Sequence, residues 1–358
     1  MRILVVAGEA SGDALVAPVV AALRALGHAV VGVGGDACAA AGLELVGHAR
    51  SLAAHGLVEA LPTLPVFVRT LQRLEGLLPQ VDVALLVDFP ELNRRLLAAA
   101  HRRRVPAAWL APPQAWAWRP WRVRDVAQAA WVGCLFPFEV EWLRRRGVAA
   151  EWVGHPRAEP EPPPLPPTAR LALLPGSRDG AVHHLLPTML AALAHLRRRH
   201  PTLTACLPVA ATVDRGFIHR AVVASGLPVA LVESAASALN QSTFALAGAG
   251  TATLDCALAG RPCVVMARLH PATAALARRL VHTPFVGLPN LILGRALLPE
   301  CIQAECTSEA VAAAAEGLLD FDPAALAEVR RRCHRPHWSA RVAARVVALA
   351  PATPNPLI

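Results

Sequence analysis

Short runs of apolar residues alternate with longer amphipathic segments along most of the chain. The runs at residues 3–7, 29–33, 81–87 and 105–110 are apolar at almost every position, which is typical of strands covered on both faces of a sheet. The segments between them carry apolar residues at helical spacing. This alternation predicts an α/β protein built on parallel sheets.

A proline-rich stretch divides the chain. Residues 159–169 read EPEPPPLPPTA, a composition that favours a stiff, extended linker. The strand–helix alternation restarts after it, and 358 residues are enough for two cores. We therefore expect one domain at residues 1–158, a second at 170–335, and a C-terminal helix and tail at 336–358.

Hydropathy argues against a membrane-spanning segment, although the chain is unusually apolar. The sequence is 54% hydrophobic with a mean hydropathy of +0.41. No uninterrupted apolar run approaches the roughly 20 residues that span a bilayer. Met1 and Arg2 lead directly into the first predicted strand, which argues against a signal peptide. We expect a cytosolic protein, with attachment to a membrane surface left open.

The net charge of +9 comes from arginine, and much of it lies in four runs of three arginines at residues 102–104, 144–146, 197–199 and 330–332. Each run ends a segment of helical spacing, where cations compensate the helix dipole. Helix ends are favoured over nucleic-acid binding, because the runs close separate helices and share no RNA-binding motif. Attraction to anionic lipid stays open for some of them.

Two sequence features could indicate metal binding, but a structural role explains each of them better. The eight cysteines form no C-x-x-C pair, so we expect reduced core residues. Asp320 and Asp322 have the D-x-D spacing of metal-dependent nucleotide-sugar enzymes. Pro323 and a helical segment follow, which predicts that Asp322 is a helix N-cap.

The stretch LALLPGSR at residues 171–178 carries the clearest candidate chemistry. Its apolar half predicts a buried strand, and Pro-Gly-Ser-Arg ends that strand abruptly. Such a loop offers backbone N–H groups, the Ser177 hydroxyl and the Arg178 guanidinium to a phosphorylated ligand. An arginine suits a diphosphate because it donates two parallel hydrogen bonds. The alternative is a surface loop with a solvated arginine.

Three carboxylates follow predicted strands. Asp88 ends the run at 81–87, where doubly wound sheets keep their chemistry, although it could instead cap the next helix. Glu9 and Asp13 lie in the loop GEASGD after the first strand.

The segment AGTATLD at residues 249–255 begins a predicted helix with small and hydroxyl residues. It is a second candidate phosphate-binding loop.

Apolar and aromatic residues form two candidate lipid contacts. Leu64, Phe67, Val68 and Leu71 share one helical face beside two arginines, as a core helix or a helix that dips into a membrane. The segment WAWRPWR, with Trp116, Trp118 and Trp121, puts more amphipathic surface into a loop than packing requires.

Taken in order, ten motifs resemble the lipid-A-disaccharide synthase family. They follow the family order from residue 3 to about residue 310, and the ordered set is specific although each motif is weak. The motifs are AGEASGD, GVGGD, HGLVEALP, VDFPELN, WAWRPWR, LFPFE, VGHP, LALLPGSR, AGTATLD and LPNLILGR.

The resemblance implies an inverting glycosyltransferase of GT-B architecture, with two Rossmann-like doubly wound parallel-sheet domains facing a cleft. Residues 1–158 would be the acceptor side with a membrane-facing helix, and residues 170–335 the UDP-sugar side. The implied reaction joins UDP-2,3-diacylglucosamine to 2,3-diacylglucosamine 1-phosphate (lipid X), leaving a β-1,6-linked disaccharide and UDP. The resemblance implies no metal and no cofactor.

The resemblance also implies roles for individual residues. Asp88 matches the family's essential carboxylate and is our candidate base, with Glu9 and Asp13 in reserve. The implied UDP site comprises Gly176, Ser177, Arg178, Gly250, Thr251, Ala252, Thr253, Asp255, Asn290 and Arg295. The candidate acyl or membrane contacts are Leu64, Phe67, Val68, Leu71, Trp116, Trp118 and Trp121.

Three positions depart from the family pattern. Asp255 stands where the family has Glu, which predicts a shorter nucleotide contact, Ala296 replaces a Glu, and His55 replaces a Met. The linker also lacks the family's helical segment.

The implied partners are the two substrates, the inner-membrane surface of a Gram-negative-type bacterium and a second copy in a homodimer with a C-terminal swap, with no nucleic acid. Two alternatives remain: a GT-B transferase or epimerase acting on another UDP-sugar, and a non-catalytic nucleotide-binding homologue. An assay of UDP release with different donor sugars tests the first alternative. A turnover assay tests the second.

Overall fold

A computed structural model describes residues 1–52, 60–210, 213–268 and 283–351, with residues 60–64 described through their backbone alone. The chain divides into two compact units. The first contains Met1–Glu159 and Cys333–Ile358, and the second contains Pro160–Arg332. The C-terminal helix therefore belongs to the first unit. Among the described residues, no helix combines the length and the apolarity that crossing a membrane requires.

In the first unit, seven strands of the described chain form a parallel sheet in the order β3-β2-β1-β4-β5-β6-β7. The strands are β1 (Arg2–Ala7), β2 (Ala29–Gly34), β3 (Glu44–His48), β4 (Val83–Val87), β5 (Ala107–Leu110), β6 (Trp131–Cys134) and β7 (Ala150–Trp152). The helices are α1 (Ala10–Ala25), α2 (Asp36–Ala40), α3 (Ala60–Leu77), α4 (Pro90–Arg102), α5 (Val123–Val126), α6 (Pro137–Arg144) and, near the C-terminus, α14 (Trp338–Val347).

Helices cover both faces of this sheet, as its continuous apolar strands predicted. Alternate residues of β1 enter opposite cores: Ile3 and Val5 pack in one hydrophobic cluster, and Leu4 and Val6 in the other. Helix α14 packs against α1, and its Trp338 is buried with the indole N–H donating to Gly154 O at 2.9 Å.

In the second unit, six described strands form a parallel sheet in the order β10-β9-β8-β11-β12-β13. The strands are β8 (Arg170–Leu174), β9 (Thr204–Pro208), β10 (Val229–Val232), β11 (Phe244–Gly248), β12 (Cys263–Ala267) and β13 (Glu300–Ile302). The helices are α7 (Asp179–Arg199), α8 (Arg215–Ser225), α9 (Ala235–Asn240), α10 (Thr251–Leu258), α11 (Leu288–Leu293), α12 (Ser308–Glu316) and α13 (Ala327–Cys333), whose last residue belongs to the first unit.

Short 3₁₀ helices lie between these elements, at Ala49–Ser51, Leu78–Gln80, Pro120–Arg122, Pro156–Ala158, Gln303–Glu305 and Pro323–Leu326. The proline-rich segment forms no helix or strand from residue 160 to 169. The buried Arg261 fastens it to the second unit by donating to the carbonyls of Pro163 and Pro164 at 3.2 and 2.6 Å.

Several local predictions are confirmed. The arginine runs lie at the ends of α4, α6, α7 and α13, all eight cysteines are buried and free, and the Asp322 side chain accepts from Ala324 N at the start of a 3₁₀ helix. Pro18 does not prevent α1 from starting directly after Glu9. The helix begins at Ala10, with Pro18 inside it. Its ring lies on the exposed side, away from the core.

Candidate active site

The strand order of the first sheet reverses between β1 and β4. These strands pair in register, with Ala7 opposite Val87, so the loops that begin at Gly8 and Asp88 start side by side. Open α/β sheets bind ligands at the carboxyl ends of the strands, next to such a reversal. Glu9 and Asp88 therefore lie at the position where this sheet is suited to chemistry.

The backbone at Asp88 is held in an unfavourable conformation. Asp88 and Phe89 both have left-handed φ angles, of 46° and 41°, which cost about 1–3 kcal/mol each in residues other than glycine. The Asp88 carbonyl accepts from Asn93 Nδ2 at 2.7 Å and from Trp109 Nε1 at 3.3 Å, while Asp88 N donates to Leu110 O at 3.1 Å. These hydrogen bonds stabilise the backbone conformation of Asp88 and fix the position from which its side chain extends.

Asn93 is a positioning residue that sequence reasoning missed. It is fully buried, and its Nδ2 also donates to Val87 O at 3.0 Å. Within the described residues its Oδ1 accepts no hydrogen bond, a desolvation cost of about 1–3 kcal/mol. Turning the amide over would place that oxygen against two carbonyls. The unpaired Oδ1 of Asn93 thus lowers the stability of the fold, while its Nδ2 holds the turn at Asp88.

The surroundings of Asp88 shift its protonation toward neutral pH. Burial, and then the charge of Glu9, raise the pKa of Asp88 to about 6, against the opposing effect of a hydrogen bond from Phe89 N. A carboxylate with a pKa near 6 is ionised at pH 7 and basic enough to accept a proton in a transition state. Asp88 is suited to general base catalysis.

Phe89 joins the two loops. A Cβ atom at Gly8 would lie 2.2 Å from Cδ1 of the Phe89 ring, so only glycine allows the ring to sit on this backbone. The ring thereby holds the loop that carries Glu9 against the turn that carries Asp88. The half-buried Glu9 makes no side-chain cap to α1.

Asp13, the second reserve base, has a structural role. Its buried carboxylate accepts from the backbone N–H groups of Gly35, Ala37 and Cys38 at 2.6, 3.1 and 3.0 Å. Burial works to raise its pKa, but the hydrogen bonds from Cys38 and these amides outweigh it and lower the pKa. A carboxylate bound in this way holds the start of α2 and is a poor proton acceptor.

The second sheet has its own reversal, between β8 and β11. The loops that follow these strands contain PGSR and AGT, and they are in contact, because a Cβ at Gly248 would lie 3.0 Å from Pro175 O. Gly176 and Gly250 have φ angles of +119° and +129°, which favour glycine. Both loops lead into helix N-termini, those of α7 and α10, which attract phosphate.

A hydrogen-bonded network supports the second loop from behind. The Thr253 hydroxyl donates to Gly250 O at 2.8 Å and accepts from Leu288 N at 3.3 Å. Glu300 accepts from two backbone N–H groups before α11 and from Asn290 Nδ2, each at 2.9 Å. These contacts join α10, α11 and β13, and Glu300 is a further residue that the sequence did not single out.

Comparison with known proteins identifies the family. The family model described as lipid-A-disaccharide synthetase matches residues 3–334. A lipid-A-disaccharide synthase of Myxococcus xanthus is 39% identical, covering 98% of each chain. One from Anaeromyxobacter dehalogenans is 37% identical, covering 97% of each chain. The chain belongs to the lipid-A-disaccharide synthase family.

Solved structures show the fold. A calicheamicin glycosyltransferase is similar with a TM-score of 0.64 at 18% identity, covering 97% of this chain and 98% of that one. A UDP-GlcNAc 2-epimerase of Methanocaldococcus jannaschii, in complex with UDP-GlcNAc and UDP, has a TM-score of 0.63 at 10% identity, covering 97% and 99%. The GT-B fold predicted from the family resemblance is confirmed.

In this lipid-A-disaccharide synthase family member, the predicted UDP residues fall into two groups. Those at the sheet reversal are exposed: Gly176, Ser177, Arg178, Gly250 and Thr251. The others lie elsewhere: Ala252, Thr253 and Asp255 in α10, Asn290 fully buried in α11, and the exposed Arg295, which pairs with Glu328 at 2.8 Å. Of the described residues, no group of three or more His, Cys, Asp or Glu is placed to hold a metal ion.

Asn290 has no hydrogen-bonding group left for a ligand. Its Oδ1 accepts from the backbone of Leu297 and Leu298 at 2.9 Å, and its Nδ2 donates to Leu298 O at 2.8 Å and to Glu300. Asn290 therefore holds the segment after α11 in place.

The predicted lipid contacts do not form one exposed face. Phe67 and Leu71 are partly buried against the core, and the Arg95 guanidinium lies 5.3 Å from the Phe67 ring centroid. Helical spacing was correct, but α4 covers part of the face. Val68 is 42% exposed. The Leu64 side chain and His55 lie outside the described residues.

The three tryptophan side chains of the loop also differ in their exposure to solvent. Trp116 Nε1 donates to Glu139 Oε1 at 3.2 Å, and its ring meets Phe138 edge-on at 4.8 Å, so this residue anchors the loop. Trp118 and Trp121 are 39% and 59% exposed. Of the three tryptophans in this loop, Trp118 and Trp121 are therefore the ones that a lipid could contact.

Glu139 is a buried acid that organises this loop. It also accepts from Phe136 N at 3.1 Å, which closes the start of α6. Burial raises the pKa of Glu139 to about 7, although hydrogen bonds from Phe136, Trp116 and Leu135 work in the opposite direction. The ionised form is therefore costly in the folded protein.

We expect Glu139→Gln to flatten the pH dependence of stability. The folded-state pKa of about 7 lies above the ordinary 4.5, so the folded protein binds the extra proton. The contribution of Glu139 to stability is full below about pH 4.5 and falls as the pH rises to about 7, at up to about 1.4 kcal/mol per pH unit. Urea unfolding of wild type and variant from pH 4.5 to 8 measures the difference. Glu141→Gln, an exposed change on the same helix, is the control, and parallel curves for wild type and Glu139→Gln would contradict the expectation.

Proposed function

We propose that this chain is a lipid-A-disaccharide synthase. It transfers 2,3-diacylglucosamine from UDP-2,3-diacylglucosamine to the 6-hydroxyl of 2,3-diacylglucosamine 1-phosphate. The products are the β-1,6-linked disaccharide 1-phosphate and UDP. The proposal is carried by the match to the family over residues 3–334, together with candidate chemistry at the strand reversal of each sheet.

In this mechanism Asp88 is the general base. It accepts the proton of the acceptor hydroxyl as that oxygen forms its bond to C1 of the donor sugar. Its raised pKa suits this step, and the hydrogen bonds from Asn93 and Trp109 to its carbonyl keep the carboxylate oriented. Glu9 contributes through its charge, which helps to raise the Asp88 pKa.

The loops of the second unit bind the UDP group. As the new bond forms, the bond from C1 to the diphosphate oxygen breaks, and UDP leaves with the bonding electron pair and with inversion at C1. Arg178 and the backbone N–H groups at Gly176 and Gly250 stabilise the charge that develops on the diphosphate. Asp255 and Arg295 are proposed to complete the uridine side of this site.

Purified protein incubated with both acylated sugars tests the function. The expected products are the disaccharide 1-phosphate and an equal amount of UDP. A UDP-GlcNAc 2-epimerase activity, suggested by the structural neighbours, would instead convert UDP-GlcNAc without any acceptor. Binding of UDP without turnover of either donor would indicate a non-catalytic homologue.

We further propose that the protein works in the cytoplasm, attached peripherally to the inner membrane. Val68 lies on α3, which contacts α4, and α4 contacts the helix that follows Pro120–Arg122. The exposed Val68, Trp118 and Trp121 therefore belong to one side of the first sheet, where several arginines also lie.

We expect Val68→Ser combined with Trp121→Ser to lower binding to vesicles that contain anionic lipid by about tenfold or more. Burying such side chains contributes roughly 1.5–3 kcal/mol each, and the arginines add attraction to the lipid charge. Vesicle sedimentation measures the change. The control is Val223→Ser, which alters a 65% exposed valine of the second unit. Equal losses in both variants would contradict membrane docking at this surface.

The proposed assembly is a homodimer with a C-terminal swap. In the single chain α14 packs on α1, and a swap would supply the same contact from a second copy. Light scattering distinguishes a dimer from a monomer.

A further inference from the structure

Three arginines contact the carboxylate of Glu91, near the start of α4, and a fourth contacts its main chain. Glu91 Oε1 pairs with the Arg122 guanidinium and lies 3.8 Å from Arg119 Nη1, while its Oε2 lies 3.7 Å from Arg94 Nε. Arg95 donates to the main-chain oxygen of Glu91 at 2.5 Å. We refer to Arg94, Arg95, Arg119 and Arg122 as the guanidinium cluster.

The guanidinium cluster carries more charge than its carboxylate balances. Three guanidinium groups contact this one carboxylate, and Arg95 contacts the main chain of the same residue. An ordinary surface ion pair needs one arginine for each carboxylate, and it contributes little to stability. Stability therefore does not account for gathering three arginines on one carboxylate.

Aromatic stacking holds two of the guanidinium groups in place. Arg119 lies 3.9 Å from the ring centroid of Trp118, and Arg95 lies 5.3 Å from that of Phe67. The Arg122 side chain is only 12% exposed. Groups ordered in this way lose less conformational freedom when they bind an anion than freely moving arginines would.

The guanidinium cluster is close to the candidate base. Glu91 lies in the first turn of α4, which begins directly after Asp88 and Phe89. Arg119 and Arg122 follow β5, the strand that pairs with β4, and both strands end at the same edge of the sheet. The guanidinium cluster and the candidate base therefore lie at the same edge of the sheet.

We propose that the guanidinium cluster binds the 1-phosphate of the acceptor sugar. The inference rests on the proposed function, in which the second unit already accounts for the diphosphate of the donor. A phosphomonoester carries close to two negative charges at pH 7, and arginine presents the planar, bidentate donors that such a group accepts. Binding the phosphate here would orient the acceptor so that its 6-hydroxyl meets Asp88.

Kinetics with two acceptors test the proposal. The double variant Arg119→Gln, Arg122→Gln is compared with wild type on 2,3-diacylglucosamine 1-phosphate and on the same sugar without phosphate. We expect the KM of the phosphorylated acceptor to rise roughly 10- to 100-fold, as charged hydrogen bonds are lost. The KM of the unphosphorylated acceptor and that of the donor should stay unchanged. Arg145→Gln removes one exposed charge of a simple Glu141 pair and is the matched control.

A charge-retaining variant separates recognition from folding. Arg119→Lys with Arg122→Lys keeps both charges but loses the bidentate geometry, so we expect an intermediate rise in the same KM. Equal losses on both acceptors, or a KM ratio that does not change, would overturn the proposal. Vesicle binding that falls in the Gln variant without a change in the KM ratio would assign the cluster to lipid headgroups instead.

Calorimetry keeps the test independent of turnover. Titration of the phosphorylated acceptor into wild type and the Gln variant should show weaker binding in the variant. If wild type forms no disaccharide yet this difference persists, the proposed function fails and the phosphate site stands. If wild type is active and the two titrations agree, the phosphate site fails alone.

Discussion

Replacing Asp88 with asparagine is expected to lower kcat by about 10²–10⁴-fold, the usual contribution of a general base. Asparagine has nearly the same shape and cannot accept the proton of the acceptor hydroxyl. The UDP dissociation constant should be unchanged, because the UDP site is proposed in the second unit. Steady-state kinetics and UDP calorimetry on the same preparation measure both quantities.

The same substitution should make the protein more stable above pH 6. The folded-state pKa of about 6 exceeds the ordinary 3.8, so the contribution of Asp88 to stability is full at low pH and falls as the pH rises through this window. The asparagine side chain lacks this titration and avoids the buried charge. Loss of activity together with a higher melting temperature at pH 8 is the pattern expected of a functional group held at a cost.

The pH profile of the wild type follows from the same pKa. Ionised Asp88 is the active form, so kcat/KM should fall as the pH drops below about 6. Asp320→Asn, an exposed carboxylate outside the candidate site, is the control and should keep full activity. A variant Asp88→Asn that retains more than about a tenth of the wild-type rate would exclude Asp88 as the base.

The elements of the fold could be predicted because apolar runs in parallel sheets are covered on both faces. The runs at residues 3–7 and 81–87 are β1 and β4, and their alternate residues fill two cores. The order of the strands could not be predicted. The residues of neither run indicate that β4 pairs with β1. That pairing places Glu9 beside Asp88.

The candidate site was predictable where chemistry follows a strand directly. PGSR and Asp88 both end strands in the structure. The role of Asp13 was not predictable, since its partners lie 22 to 25 residues further along the chain. Asn93 and Glu300 have ordinary positions in the sequence and acquire their roles from carbonyl and amide groups of other elements. Phe67 shows the same limit, because helical spacing does not reveal which helix covers a face.

Replacing Arg178 with lysine is expected to weaken UDP binding by about tenfold or more, although the charge is kept. A guanidinium donates two parallel hydrogen bonds to a diphosphate, whereas an ammonium acts as a point charge. Arg178 is exposed at the N-terminus of α7, next to the loop of Gly250, and a helix N-terminus favours an anionic ligand. Arg178→Ala removes the charge as well, and we expect kcat to fall by about 10²–10³-fold, as for the loss of one transition-state donor.

Calorimetry with UDP and steady-state kinetics with the acylated donor separate these two effects. Arg198→Lys, an exposed position on the same helix, is the matched control and should leave both quantities unchanged. If Arg178 contacts the diphosphate mainly in the transition state, the lysine variant will lower kcat more than it weakens UDP binding. An unchanged UDP dissociation constant in both Arg178 variants, with kcat also unchanged, would remove this arginine from the site. It would return the PGSR segment to the alternative of a surface loop with a solvated arginine.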